Sequence, residues 1–307
     1  MGRRRKAKPR SGKRAVVGAE ESGAPEAGAT AATPSAGLSK RAAVLIALAF
    51  AVPIAFVVVL VVLSQSSQQP AASTPSSSVA QPKAAIVDQL SVNQPNPDFA
   101  EAATSVLGQA GYAVDYFPGE QVTVDFYRDL PRRGYEVLIF RVHSALVGTG
   151  EEATDDATLY TTVPYEERKY VPEQAARRLS IVSYYEGGPE YFGITPEFVR
   201  SSMRGKFDES VVILMGCDSL KTTAAAEAFL QKGAKAVVGW SGPVSSTHTD
   251  DATERLLQHL LVDGLAVADA VAQTMTDVGP DPAYGSALVF DAPESVSSGA
   301  GEGYLAR

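Results

Sequence analysis

Apolar residues recur in two rhythms along this chain, one of period two or continuous and one of helical period. Between residues 84 and 143 they give the runs AAIVDQL (84–90), YAVDYF (112–117) and EVLIFRVH (136–143), separated by helix-period stretches over about 98–110 and 123–130. The same alternation returns in VVILMGC (211–217), a helix over about 219–232 and AKAVVGW (234–240). Helices over about 249–262 and 266–276 then lead to a last strand, SALVF (286–290). Several of these runs are unbroken Val, Ile and Leu, the pattern of strands covered on both faces. The expected fold is therefore α/β, a doubly wound, mainly parallel sheet of about six strands with helices on both faces. Residues 144–209 are less regular and rich in tyrosine, with a strand expected near 159–162 and a helix near 196–203.

A third pattern precedes these. Residues 42–63, AAVLIALAFAVPIAFVVVLVVL, contain no charged side chain, and at about 1.5 Å per residue a helix of that length reaches about 33 Å, enough to cross a bilayer core. A cleaved signal peptide is the rival reading, but its apolar region is normally about 7–15 residues and follows a shorter basic preamble. Residues 1–41 hold ten Lys or Arg against three Glu and no aromatic residue, the composition of a disordered tail. Those basic residues all precede the apolar stretch, so its N-terminal side is expected in the cytoplasm and the rest outside it, on a single-pass anchor in the cell membrane. Residues 64–83 are a Ser, Gln and Pro tether. The folded portion runs from 84 to 307, with about 292–307 frayed.

After residue 63 the chain has 17 basic and 32 acidic side chains, a balance that repels polyanions and speaks against a nucleic-acid partner. Its single cysteine rules out an intramolecular disulfide, so the core must supply the stability.

Chemistry concentrates where strands end, since ligands of such sheets gather at the carboxyl edge. His143 closes EVLIFRVH and Cys217, the only cysteine, closes VVILMGC. A thiol attacks acyl carbon as its thiolate, and a neighbouring imidazole raises the thiolate fraction. A helix starting near Ser219 would add its dipole at the sulfur. The alternative is that Cys217 is a small core hydrophobe. No cofactor and no metal site are expected, because His143, His248 and His259 lie on different elements and no second thiolate is available. His248 and His259 are expected at the surface. Glu151, Glu152, Asp155 and Asp156 match no standard calcium loop and read as a solvated acidic loop.

These residues resemble the caspase-like fold of clan CD cysteine peptidases, in its CHAT and gingipain-like branches. The likeness covers most of residues 84–290 and is most specific from VVILMGCDSL through AEAFLQKGAKAVVGW. In that family a histidine ending the third strand and a cysteine ending the fourth form the catalytic dyad, positions held here by His143 and Cys217. The resemblance implies an endopeptidase, here on the anchor expected from residues 42–63, that hydrolyses peptide bonds of a peptide or protein substrate through a thioester, with Cys217 as nucleophile and His143 protonating the leaving amine. It also implies an oxyanion site at the backbone of Cys217, Gly216 and the residue after the histidine. That residue is Ser144 here, where the family has Gly, and Met215–Gly216–Cys217–Asp218 stands in place of the caspase Gln–Ala–Cys. A catalytically silent binding or sensing module is the other function such a scaffold supports.

Around the dyad, Trp240 and Ser241 stand where relatives shape a substrate pocket, and Asp218 beside the nucleophile suits a basic side chain. Trp240 is equally suited to core packing and Asp218 to capping a helix. Arg141, two residues before His143, is suited either to an acidic substrate group or to a local carboxylate.

Overall fold

The computed structural model describes residues 80–146 and 157–293. The expected tail, membrane span and nearly all of the tether (1–41, 42–63 and 64–83) lie outside these, as do Glu151, Glu152, Asp155, Asp156 and the end of the 292–307 tail. Among the described residues no helix is long and apolar enough to cross a membrane.

In chain order the strands of the main sheet are β1 (Lys83–Asp88), β2 (Ala113–Pro118), β3 (Val137–Arg141), β8 (Ser210–Leu214), β9 (Ala234–Trp240) and β10 (Leu288–Asp291). They are arranged β10-β9-β8-β3-β1-β2, all parallel except β10, which pairs antiparallel with β9. Alternate residues of each strand enter opposite cores, as the two-residue period requires. Ala85, Val87, Leu138, Phe140, Val212 and Leu214 face one. Ala84, Ile86, Val137, Ile139, Val211 and Ile213 face the other.

Helices cover both faces. The first core is closed by α2 (Val124–Asp129), α4 (Pro196–Ser201) and α5 (Ala224–Gln231), through Phe126, Phe198 and Phe229. The second is closed by α1 (Pro97–Gln109), α6 (Ser246–Leu257) and α7 (Val267–Val278), through Phe99, Leu107, Leu256 and Val271. Helix starts are set by short polar side chains at the N-cap. Asn96 accepts from the Phe99 N–H at 3.2 Å, Thr123 from Phe126 at 3.1 Å and Thr195 from Phe198 at 3.3 Å. Every residue of β3 and β8 is buried, which fixes the two strands that lead to His143 and Cys217.

The region 144–209 adds something the apolar pattern did not contain, a second sheet. Its strands are β4 (Ser144–Leu146), β5 (Ala157–Pro164), β6 (Leu179–Ser183) and β7 (Glu190–Ile194), arranged β4-β5-β7-β6 and wholly antiparallel. The expected strand at 159–162 is the middle of β5. A short helix α3 (Val171–Ala175) precedes β6.

Two expected boundaries change. The helix foreseen from Ser219 starts only at Ala224, because Cys217–Leu220 form a turn in which Asp218 has φ of 54°. The helix foreseen over 249–262 starts at Ser246 and ends in a π-helical turn at Gln258–Val262.

Candidate active site

β3 and β8 run side by side in parallel register, Val137 opposite Val211 through Phe140 opposite Leu214. The Met215 N–H still donates to Phe140 O at 3.0 Å past the strand end. Continuing that register sets His143 beside Cys217 at the carboxyl edge. The two chain ends are tied directly, since Ser144 Oγ donates to the Cys217 carbonyl at 2.6 Å. The serine hydroxyl is thus turned toward the peptide after the cysteine, leaving the Ser144 N–H on the edge against Gly216. A Cβ on Gly216 would stand 2.5 Å from Val142 O and 2.9 Å from the Ser144 N, and would also strike Ser144 Oγ. Gly216 is glycine because the two strand ends approach too closely for anything larger. Gly216→Ala therefore forces them apart at a cost of about 1–3 kcal/mol, read as a lower urea midpoint and slower alkylation of Cys217.

His143 is held from three sides. Its N–H donates to Gln89 Oε1 at 3.0 Å, and the fully buried Gln89 also donates from Nε2 to the Tyr184 hydroxyl at 2.8 Å. The Asn93 amide lies 3.3 Å from Nε2. With Oδ1 turned to accept Nε2–H, Nδ1 keeps its lone pair free to take a proton; with Nδ2 donating to Nε2, the ring proton sits on Nδ1 instead. The Tyr160 and Tyr184 rings pack against the imidazole with centroids 5.7 and 5.1 Å away. Gln89 and Asn93 were not foreseen in the sequence. Their only signal there was position, just past the end of β1.

Cys217 is half-buried. Its S–H faces Val244 O at 3.4 Å, and the Val244 N–H faces the sulfur at the same distance. Burial pushes the thiol up, as do the nearby Asp218 and Asp281 charges, against the Val244 N–H and the cysteine's own N–H, which pull it down. The expected help from a helix N-terminus is absent, because α5 begins seven residues after the sulfur. Burial, reinforced by the Arg141 charge, pushes the His143 imidazole down to about 4. The resting pair is therefore neutral thiol and neutral imidazole.

Linkage gives this a sign. The unfolded chain takes up a proton on His143 near 6.5 while the folded site resists it down to about 4, so this residue's contribution is intact above 6.5 and is lost as pH falls through that window. Urea midpoints measured from pH 7 to pH 4 should fall more steeply for the wild type than for His143→Gln.

The other candidate residues are distributed differently. Arg141 is in the interior, 1% exposed, with Nε and Nη2 on the two Asp250 oxygens at 2.8 and 2.9 Å and Nη1 on Asp88 at 2.9 Å. It meets local carboxylates and not the cleft. Tyr116 donates to Asp88 and Asn96 to Asp250, completing the network. Trp240 is fully buried, its indole N–H donating to Thr249 at 2.8 Å, so it packs the core instead of lining a pocket. Ser241 is exposed and bonds the Ala287 backbone, joining β9 to the segment before β10.

Asp218 caps no helix, since its positive φ serves the turn and Thr223 takes the N-cap position of α5. Its Oδ1 lies 3.3 Å from Lys221 Nζ but outside hydrogen-bonding geometry, so that oxygen is buried without a hydrogen-bond partner. The distance marks a Coulomb contact only. Asp281 accepts from the Ser245 hydroxyl and N–H and from the Ala283 and Tyr284 N–H groups. Burial opposes its ionisation, but these donors prevail and hold the carboxyl down to about 2.

His248 is half-buried against Trp240, and its Nε2 lies 3.1 Å from Gly279 O. His259, expected at the surface, is instead buried at 7% exposure between Asp263 and Asp277, because the π-helical turn rolls it onto α7. Among the described residues no group of three or more His, Cys, Asp or Glu is arranged to hold a metal ion.

Comparison with protein-family models and with curated protein sequences finds no match.

Proposed function

We propose that this chain is a cysteine endopeptidase with a caspase-like domain, tethered to the cell membrane through residues 42–63, with its catalytic domain outside the cytoplasm. The observation that carries the reading is the juxtaposition of the only cysteine and His143 at the ends of adjacent parallel strands, joined by the Ser144–Cys217 hydrogen bond.

A substrate carbonyl set on Cys217 Sγ puts its oxygen toward the Cys217 and Ser144 N–H groups. The Ser144 hydroxyl, fixed to the Cys217 carbonyl, holds that peptide in the orientation a glycine would leave free. His143 takes the thiol proton as the C–S bond forms and returns it to the leaving amine, giving a thioester and a free amine. Water activated by the same imidazole then cleaves the thioester and regenerates the thiol. Asn93 and Gln89 orient the ring through both steps. Asp218 Oδ1 is buried and faces the Lys221 ammonium, so a basic substrate side chain would have to displace that lysine to reach it.

The neutral, thiol-bonded resting state favours a second reading, a silent binding module on the same scaffold. Digestion of a peptide library by the full-length protein separates the two. The peptidase reading expects cleavage products that vanish with Cys217→Ala, and the module reading expects none from either protein.

A further inference from the structure

A row of tyrosines runs away from the imidazole, with Tyr160 at its inner end, where burial first and the Cys217 charge second push its phenol up. Tyr160 and Tyr184 touch the His143 ring, Tyr184 packs at a tilt on Tyr160 at 5.8 Å, and Tyr191 continues the row at 4.9 Å from Tyr184. Tyr160 is buried and forms the floor, whereas Tyr184 and Tyr191 are half-buried and open to solvent. Beyond them Tyr185 is 65% exposed, one of the most exposed large apolar side chains of the domain. Its ring lies over the β6–β7 hairpin at Gly188, where a Cβ would come within 2.9 Å of the ring and of Ser183 Oγ. The row is supported from behind, because Tyr184 is fixed by the same Gln89 that holds the His143 backbone. Exposed aromatic surface on a rigid support is the usual mark of a binding site.

The side of the substrate that meets this row follows from the reaction order. During acylation the scissile carbon is on Cys217 Sγ and the leaving nitrogen is at His143, so the residue owning that nitrogen extends past the imidazole, over Tyr160 and Tyr184. No carboxylate or cation is among the groups acting on Tyr184. Burial pushes the Tyr184 phenol up to about 12, and the groups acting on it are Tyr191, Gln89 and Tyr160. Arg141, the nearest guanidinium along the strand, is buried and saturated by two carboxylates. The exposed charges on the hairpin are Glu186 and Glu190, which repel an acidic side chain.

We infer that the Tyr160–Tyr184–Tyr191 row is the subsite for an aromatic or branched apolar side chain on the leaving-group side of the scissile bond. This rests on the peptidase reading above and adds a substrate class to it.

The test is digestion of a proteome-derived peptide library by the full-length protein, with new N-termini identified by mass spectrometry for wild type, Tyr184→Ala, Tyr184→Phe and Cys217→Ala. The expected result is Phe, Tyr, Leu, Ile or Val enriched at the new N-terminus for wild type. Tyr184→Ala should lower the ratio of aromatic to alanine N-termini by about 10-fold, the scale on which an apolar pocket discriminates. Tyr184→Phe, which keeps the ring and loses only the hydroxyl, should keep the ratio. Enrichment of Lys, Arg, Asp or Glu at that position overturns the inference while leaving the peptidase intact, as does an unchanged ratio in Tyr184→Ala. Absence of any cleavage dependent on Cys217 overturns both.

Discussion

Replacing Arg141 by leucine lowers the stability of the domain by about 3–5 kcal/mol, because it leaves Asp88 and Asp250 buried without their counter-charge. The guanidinium is 1% exposed and uses three of its nitrogens on two carboxylates drawn from β1 and α6, so it ties the sheet to the helix layer directly behind the site. Burial works against its charge, and the two carboxylates more than offset that. Urea denaturation followed by tryptophan fluorescence measures the loss, since the only Trp, Trp240, sits in the core that α6 closes. Adding Asp250→Asn to the same variant should recover part of it by removing one stranded charge. A loss below about 1 kcal/mol, the value of an exposed ion pair, would mean that the network is not what joins these elements.

The largest expected effect on activity belongs to the pair itself. Cys217→Ala and His143→Ala should each reduce kcat/KM for a cleavable peptide on the order of 10⁴-fold or more, and the double variant should be hardly worse than either. Groups that act as one unit lose their contribution together, whereas independent binding residues would multiply their losses. Asn93→Ala, which frees the ring without removing it, should reduce kcat more than it raises KM. Multiplicative loss in the double variant would show that the two side chains contribute separately and share no proton.

The main sheet was legible because its strands are buried on both faces, and continuous apolar runs such as VLIF and VVIL have no other good use in a chain with helix-period segments between them. The second sheet was not. β6 reads LSIVS with Ile181 half-exposed at the sheet edge, and β7 reads EYFGI, so neither offers the long apolar run that marked the others. His143 and Cys217 were found by position at strand ends, a rule of backbone topology.

Their surroundings follow from packing that no local pattern encodes. Arg141 suited either an acidic substrate group or a nearby carboxylate, and only the fold, which brings in Asp250 from 109 residues away beside Asp88, decides for the carboxylates. Asp218 looked like a helix cap, but the chain needs a left-handed residue there to turn away from the nucleophile before α5 starts. Ser144 stood out against the glycine of the peptidases this sequence resembles, and its hydroxyl has a use that a glycine lacks, the 2.6 Å bond to the Cys217 carbonyl. Gln89 and Asn93 are amides in a loop, distinguishable from any other loop amide only once β1 and β3 are known to be neighbours.

The proposed peptidase depends on a single working pair, a thiol that would become an acyl carrier with the help of His143. The most direct measurement is the intact mass of the full-length protein after exposure to a peptidyl acyloxymethyl ketone. The account predicts one adduct per chain, located on Cys217, absent in Cys217→Ala and formed far more slowly in His143→Gln. Labelling of Cys217→Ala equal to that of wild type, or labelling of Cys217 at the same rate with and without the imidazole, would contradict it.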